Sequence, residues 1–145
     1  MKYYNYPKRD PIKDYFPLPN EIFSLGLSYG EIAVFSYLLY RENRKTFTCY
    51  PSYKTIGKAL NMSRNTVSKY VHVLAEKELI TTEPTNIFIK SGEKLNGNLL
   101  YTILPIEQAK KYFYDCQMQN FDRMIDEEKR RKKIERLVKT QEVQS

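Results

Sequence analysis

The run Ser63-Arg64-Asn65-Thr66 brings together side chains suited to reading base edges. An arginine can donate two bonds to guanine O6 and N7, an asparagine can bridge adenine N6 and N7, and a threonine methyl can touch the thymine methyl. Ser68, Lys69 and His72 follow at helical offsets that keep them near the same side as Arg64 and Asn65. Arg64, Asn65, Thr66, Ser68, Lys69 and His72 are therefore the candidate base-reading set. Lys54 and Lys58 upstream, and Lys90 and Lys94 downstream, suit phosphate contacts, because phosphate neutralisation by lysine supplies much of the affinity for a duplex. Ser63 is foremost a helix cap and secondarily a phosphate contact. Between Arg44 and Lys77 there are seven Lys or Arg and one acid, Glu76, a net +6 within a chain whose formal charge is +7.

Other chemistries find little support. His72 is the one histidine, and it falls inside the proposed reading helix. No Ser-His-Asp set, HExxH motif or paired metal-binding carboxylates stand out. The two cysteines, Cys49 and Cys116, form no CxxC pair, so no structural zinc is expected, and no other metal, cofactor or catalytic residue. Cys49 reads as core and Cys116 as packing for a tail helix. The chain is not expected to be an enzyme.

These side chains need a scaffold, and 145 residues with 41% hydrophobic and 14% aromatic content suffice for one ordinary domain with an appendage. No apolar run approaches about 18 residues, so no transmembrane helix is expected. The start, MKYYNYPKRDP, lacks an apolar stretch of the secretory kind, which together with the cysteine usage suggests a cytoplasmic protein.

Residues 1–17, punctuated by Pro7, Pro11 and Pro17, read as an arm. Its Tyr3, Tyr4 and Tyr6, with Lys2, Lys8 and Arg9, suit either packing on a domain or contact with DNA. Leu18–Leu27 reads as a short helical turn on the core. Ser28 with Glu31 forms a capping box before Ile32, Phe35, Leu38 and Leu39, which predicts a helix ending near Arg41 to Arg44. Thr46–Tyr50 is β-prone. A second helix is expected over Ser52–Leu60, with Tyr53, Ile56, Ala59 and Leu60 inward. A third runs from Arg64 to about Lys77, capped by Ser63, with Val67, Tyr70, Val71 and Leu74 buried. A three-residue turn between the last two gives the helix-turn-helix pattern.

The period then changes. Leu79–Thr82 is extended, Glu83-Pro84-Thr85 is expected to interrupt it, and Asn86–Lys90 and Leu99–Ile103 are the better strands of a wing. Asn96-Gly97 is a turn signal within the connection 91–98. Glu93 weakens the attraction of the wing tip for phosphate. Pro105 can open a last helix, with Ile106, Ala109, Phe113 and Cys116 as its apolar face. The Asp126-Glu127-Glu128 run before Lys129–Lys133 supports acid-to-base pairs on an exposed helix. Phe113, Phe121, Met124 and Ile125 are candidate self-association residues.

The stretch PSYKTIGKALNMSRNTVSKYVHVLAEKELI, with its flanks over residues 18–105, resembles the winged helix-turn-helix domains of two groups. These are plasmid and phage replication initiators, and transcription regulators of low-GC Gram-positive bacteria. The resemblance implies double-stranded DNA binding, often by a homodimer, with Arg64, Asn65, Thr66 and Lys69 on the reading helix. It also suggests a mobile-element or replication setting.

The expectation is an α+β winged helix-turn-helix, a three-helix core plus β-wing, over 18–105, with an arm (1–17) and a basic helical extension (106–145). The expected function is sequence-specific binding of double-stranded DNA in transcriptional control. The alternatives are a replication or mobile-element accessory that binds DNA, and a protein-interaction adaptor on the same scaffold. The expected partners are duplex DNA and a second copy of the chain. Neither a membrane nor a small-molecule effector is expected.

Overall fold

The computed structural model describes residues 1–88, 90–92 and 94–144. A 3-10 turn, Asn20–Ser24, buries Ile22 and leads into α1, Tyr29–Arg41. The capping box is formed: Ser28 Oγ accepts from the Glu31 amide and the Glu31 carboxylate accepts from the Ser28 amide at 2.7 Å. A two-residue strand β1, Thr48–Cys49, precedes α2, Tyr53–Leu60, and α3, Arg64–Glu76. The wing is β2, Ile80–Phe88, and β3, Lys94–Ile103, and the chain closes with α4, Ile106–Gln144. The sheet is antiparallel in the order β1-β3-β2.

One apolar core joins these elements. It holds Ile22 and Leu25, then Val34, Phe35, Leu38 and Leu39 of α1, Ile56 of α2, and Val67, Val71 and Leu74 of α3. Cys49, Leu79, Ile80, Tyr101 and Ala109 complete it. Tyr70 is half-buried over α1, where Gly30 leaves room for its ring: a Cβ there would lie 2.1 Å from Tyr70 Cζ. An ion pair also clamps α1 to α3. Lys77 Nζ lies 3.1 Å from the buried Glu31 carboxylate and donates to the Gly26 carbonyl at 3.2 Å.

Three local expectations are corrected. Ala59 is exposed, because the inward stripe of so short a helix is Tyr53, Ile56, Gly57 and Leu60, one turn apart, and Ala59 lies beside Lys58 on the outside. Glu83-Pro84-Thr85 does not break the wing. β2 runs through it, since it is an edge strand and a proline costs no ladder bond on an edge; the register instead shifts between Pro84 and Asn86. Thr85 Oγ1 donates to the Asn98 carbonyl there. Asn96-Gly97 is not a turn: Asn96 pairs with Asn86 inside β3, and the strands extend to Phe88 and Lys94.

Candidate nucleic-acid interface

Two serine caps start the two helices of the motif. Ser52 Oγ accepts from the Thr55 amide at 3.0 Å, and Ser63 Oγ accepts from the Thr66 amide at 3.2 Å. Between the helices, Asn61 takes a left-handed conformation (φ 57°), and the Met62 amide returns to the Gly57 carbonyl at 2.8 Å. The turn therefore closes directly on Gly57, where a Cβ would lie 2.4 Å from the Met62 carbonyl oxygen. This contact fixes where α3 begins.

With Val67, Val71 and Leu74 buried, the opposite side of α3 is left to polar residues. Asn65, Lys69 and His72 are exposed along the middle of that side, one turn apart. Arg64 is exposed and Ser68 half-buried along one edge. Thr66 lies on the other edge, half-buried, with its hydroxyl 2.9 Å from Ser63 Oγ. That bond joins the Thr66 hydroxyl to the capping oxygen of Ser63. His72 Nδ1 lies 2.7 Å from the Ser68 carbonyl. A carbonyl only accepts, so Nδ1 is the donor, which leaves Nε2 pointing away from the helix backbone. Glu76, which follows on the same side, is exposed and places a negative charge at the far end of the row.

Arg64 also borders a groove of about 440 Å³ that it shares with Lys54, the first turn of α2 and the base of the wing. Pro51, Ser52 and Tyr53 form one wall, and Gly97, Asn98 and Leu99 the other. Two cations beside a helix start, whose free amides carry partial positive charge, make this groove suited to an anion such as a backbone phosphate. Asn98 Nδ2 donates to the Tyr50 carbonyl at 3.2 Å and ties the wing to the segment entering α2. Sequence reasoning passed over Asn98 and Tyr50, because nothing in their spacing shows that two segments 48 residues apart meet. Lys58 is exposed one turn beyond Lys54, on the same outer face of α2.

At the wing tip Lys90 is exposed, with Ser91 and Gly92. Lys94 opens β3, but its side chain lies outside the described residues, as do Ile89 and Glu93. The arm is exposed throughout residues 1–17 and meets the domain through Phe16, whose ring stands 5.8 Å from that of Tyr40. Phe113 turns inward: it packs on the core beside Gly26, so it serves its own domain, whereas Phe121, Met124 and Ile125 are exposed on α4.

Among the described residues no group of three or more His, Cys, Asp or Glu is placed to hold a metal ion. Burial pushes the Cys49 thiol up to about 11, with the Glu42 carboxylate adding to the effect and Arg41 opposing it. Its Sγ donates to the Leu38 carbonyl at 3.6 Å, the behaviour of a packing thiol. No helix among the described residues is long and apolar enough to cross a membrane.

The chain is similar to several known proteins. A family model described as a helix-turn-helix domain matches residues 25–80. A possible transcriptional regulator from Methanosarcina mazei superposes with a TM-score of 0.50 at 20% identity, over 74% of this chain and 81% of its own. MarR of Listeria monocytogenes, a multiple antibiotic-resistance repressor, gives a TM-score of 0.39 at 18% identity, over 81% and 78% of the two chains. MarR of Staphylococcus aureus gives 0.40 at 17% identity, over 72% and 62%. No curated protein matches the sequence.

Proposed function

We propose that this winged helix binds double-stranded DNA sequence-specifically, as a transcriptional regulator, with α3 in the major groove. The observation that carries the reading is the exposed polar row on α3. Asn65, Lys69 and His72 stand along its middle with Arg64 and Ser68 at its edge, presented by a helix whose other side is locked into the core. Asn65 and Arg64 are suited to adenine and guanine edges, and His72 Nε2 is free to face a base edge. Lys54, which shares the groove with Arg64, and the exposed Lys58 and Lys90 are suited to phosphate contacts in this reading. A second copy of the chain doubles the contact, and a repeated half-site is the expected target.

The test is selection from a random duplex library at two salt concentrations. The reading expects an enriched sequence, with preference at single positions relaxed by Arg64→Ala and by Asn65→Ala. Lys58→Ala should weaken binding evenly across sequences and lower the salt slope by about one. Affinity without any enriched sequence would refute it.

A further inference from the structure

Residues 117–144 of α4 are all exposed, and at 1.5 Å per residue they extend about 42 Å beyond the part of the helix that packs on the core. A single helix of that kind has no tertiary support of its own, and in water most helical stability comes from burying an apolar face. Such a face exists. Tyr114, Met118, Phe121 and Ile125 are spaced 4, 3 and 4 residues apart and are 60%, 43%, 57% and 38% exposed. This is the spacing of a coiled-coil seam. At about 100° per residue the stripe lies roughly 130° round the axis from the side that carries Ala109 and Phe113. The domain therefore does not cover it, and the stripe is left open to a partner helix.

The sequence around the stripe says which partner and which direction. Continuing the same spacing by one position each way reaches Lys111 and Glu128, both exposed. The row Lys111, Tyr114, Met118, Phe121, Ile125, Glu128 is a near palindrome in character: a charge, four apolar residues, then the opposite charge. Two copies laid antiparallel set Lys111 against Glu128 of the second copy at both ends. They also set Tyr114 against Ile125 and Met118 against Phe121. Beside them Asp115 meets Lys129 of the second copy. Two copies laid parallel would set lysine on lysine and glutamate on glutamate, and like charges brought together disfavour that arrangement.

We infer that α4 pairs antiparallel with α4 of a second copy of this chain, along Tyr114, Met118, Phe121 and Ile125, with Lys111–Glu128 contacts closing both ends. The pairing deepens the two-copy reading given above and does not depend on which bases α3 contacts. Asp122 meets its own counterpart near the two-fold axis, and Lys110 lies beside Arg131 of the second copy at each end, like-charge neighbours that the seam and the Lys111–Glu128 contacts outweigh. Ile134, Leu137 and Val138 lie on the opposite side of the helix and take no part in this seam.

The experiment is the mass of the full chain by sedimentation over a range of concentrations in low salt. Wild type is expected to be a dimer. Lys111→Glu alone should raise the dimer dissociation constant about tenfold, because it creates a repulsive contact at each end. Glu128→Lys should do the same, although it also removes the 2.6 Å pair of Glu128 with Arg131 on its own helix. The double variant Lys111→Glu with Glu128→Lys should return to within about threefold of wild type, since the two charges have merely exchanged places. Phe121→Asp, an exposed position whose change spares the core, should be monomeric with its thermal unfolding otherwise intact. A monomeric wild type, or single charge variants that dimerise like wild type (the outcome for a parallel pair), would overturn the inference. The library selection run on Phe121→Asp scores α3 separately: a monomer that still enriches a half-site sequence leaves the DNA reading standing whatever the mass of wild type.

Discussion

Gly57→Ala should destabilise the protein although it replaces the poorest non-proline helix former with the best. Helix propensity alone predicts a gain of about 0.8–1 kcal/mol for this change inside α2. The structure predicts the reverse. The new Cβ would lie 2.4 Å from the Met62 carbonyl oxygen, 3.5 Å from its carbon and 3.6 Å from Val67 Cγ2. To reach even 3.0 Å the turn must retreat by about 0.6 Å. It is held from the other side by the Met62 amide bond to the Gly57 carbonyl at 2.8 Å, and the obstacle is backbone, which cannot rotate away as a side-chain tip can. Overpacking of this kind costs about 1–3 kcal/mol. Set against the propensity gain, the net loss is about 1 kcal/mol, rising to about 2 if the Ser63 cap is pulled out of line with the Thr66 amide. Urea unfolding measures it, with Ala59→Gly as the internal reference. Ala59 is exposed two residues away in the same helix, so that change reports propensity with no steric component and should cost about 1 kcal/mol. Because the turn sets the start of α3, Gly57→Ala should also weaken selective DNA binding more than it weakens affinity for random duplex. A Gly57→Ala protein as stable as wild type, or more so, would refute the argument that the turn is closed on this glycine.

Other expectations follow from single contacts. Lys77→Met leaves the buried Glu31 carboxylate without its cation and should cost about 1–2 kcal/mol in urea unfolding, less than a fully buried pair because Lys77 is partly exposed. A cost unchanged when Glu31→Gln is added would show that the pair is not the cause. Ser63→Ala removes the cap of α3 and should cost about 1 kcal/mol, with Ser63→Gly much milder; equal losses would argue against capping. At pH 8, alkylation should modify Cys116 and spare Cys49, whose thiol, raised to about 11, is almost wholly protonated. The same shift means that Cys49 favours the folded chain fully below the unfolded thiol's range near 9. This contribution is lost as pH rises toward 11, because the unfolded state gives up its proton first. Rapid alkylation of Cys49 in the native protein, read by peptide mass, would contradict its burial.

Much of the scaffold was legible in the sequence because it depends on neighbours along the chain. Ser28 with Glu31, and Ser63 with the helix behind it, are local hydrogen-bonding signals, and both caps are formed. The periods of α1 and α3 identified Phe35, Leu38, Val67, Val71 and Leu74 as core, since a 3.6-residue repeat is a property of one helix. The wing was harder. Pro84 looked like a break because proline is poor in a strand, and only the strand order, with β2 at the edge, shows why it is tolerated. Asn96-Gly97 carried a turn signal that the pairing of Asn96 with Asn86 overrides.

The sequence by itself determined which residues are available: a basic segment from Arg44 to Lys77, a capped helix with Arg64 and Asn65 at its start, and a tail with alternating apolar and charged stretches. Each of these is written in residue type and short-range spacing. Tertiary structure decided what each one faces. It turned Phe113 into the core and left Phe121 outside, joined Arg64 and Lys54 across one groove, and tied Asn98 to Tyr50 so that the wing stands beside α2. It also bound the Thr66 hydroxyl to Ser63 and set the proton of His72 on Nδ1. Contacts between residues far apart in the chain arise from packing a shared core, and the spacing of residues along one segment does not record them.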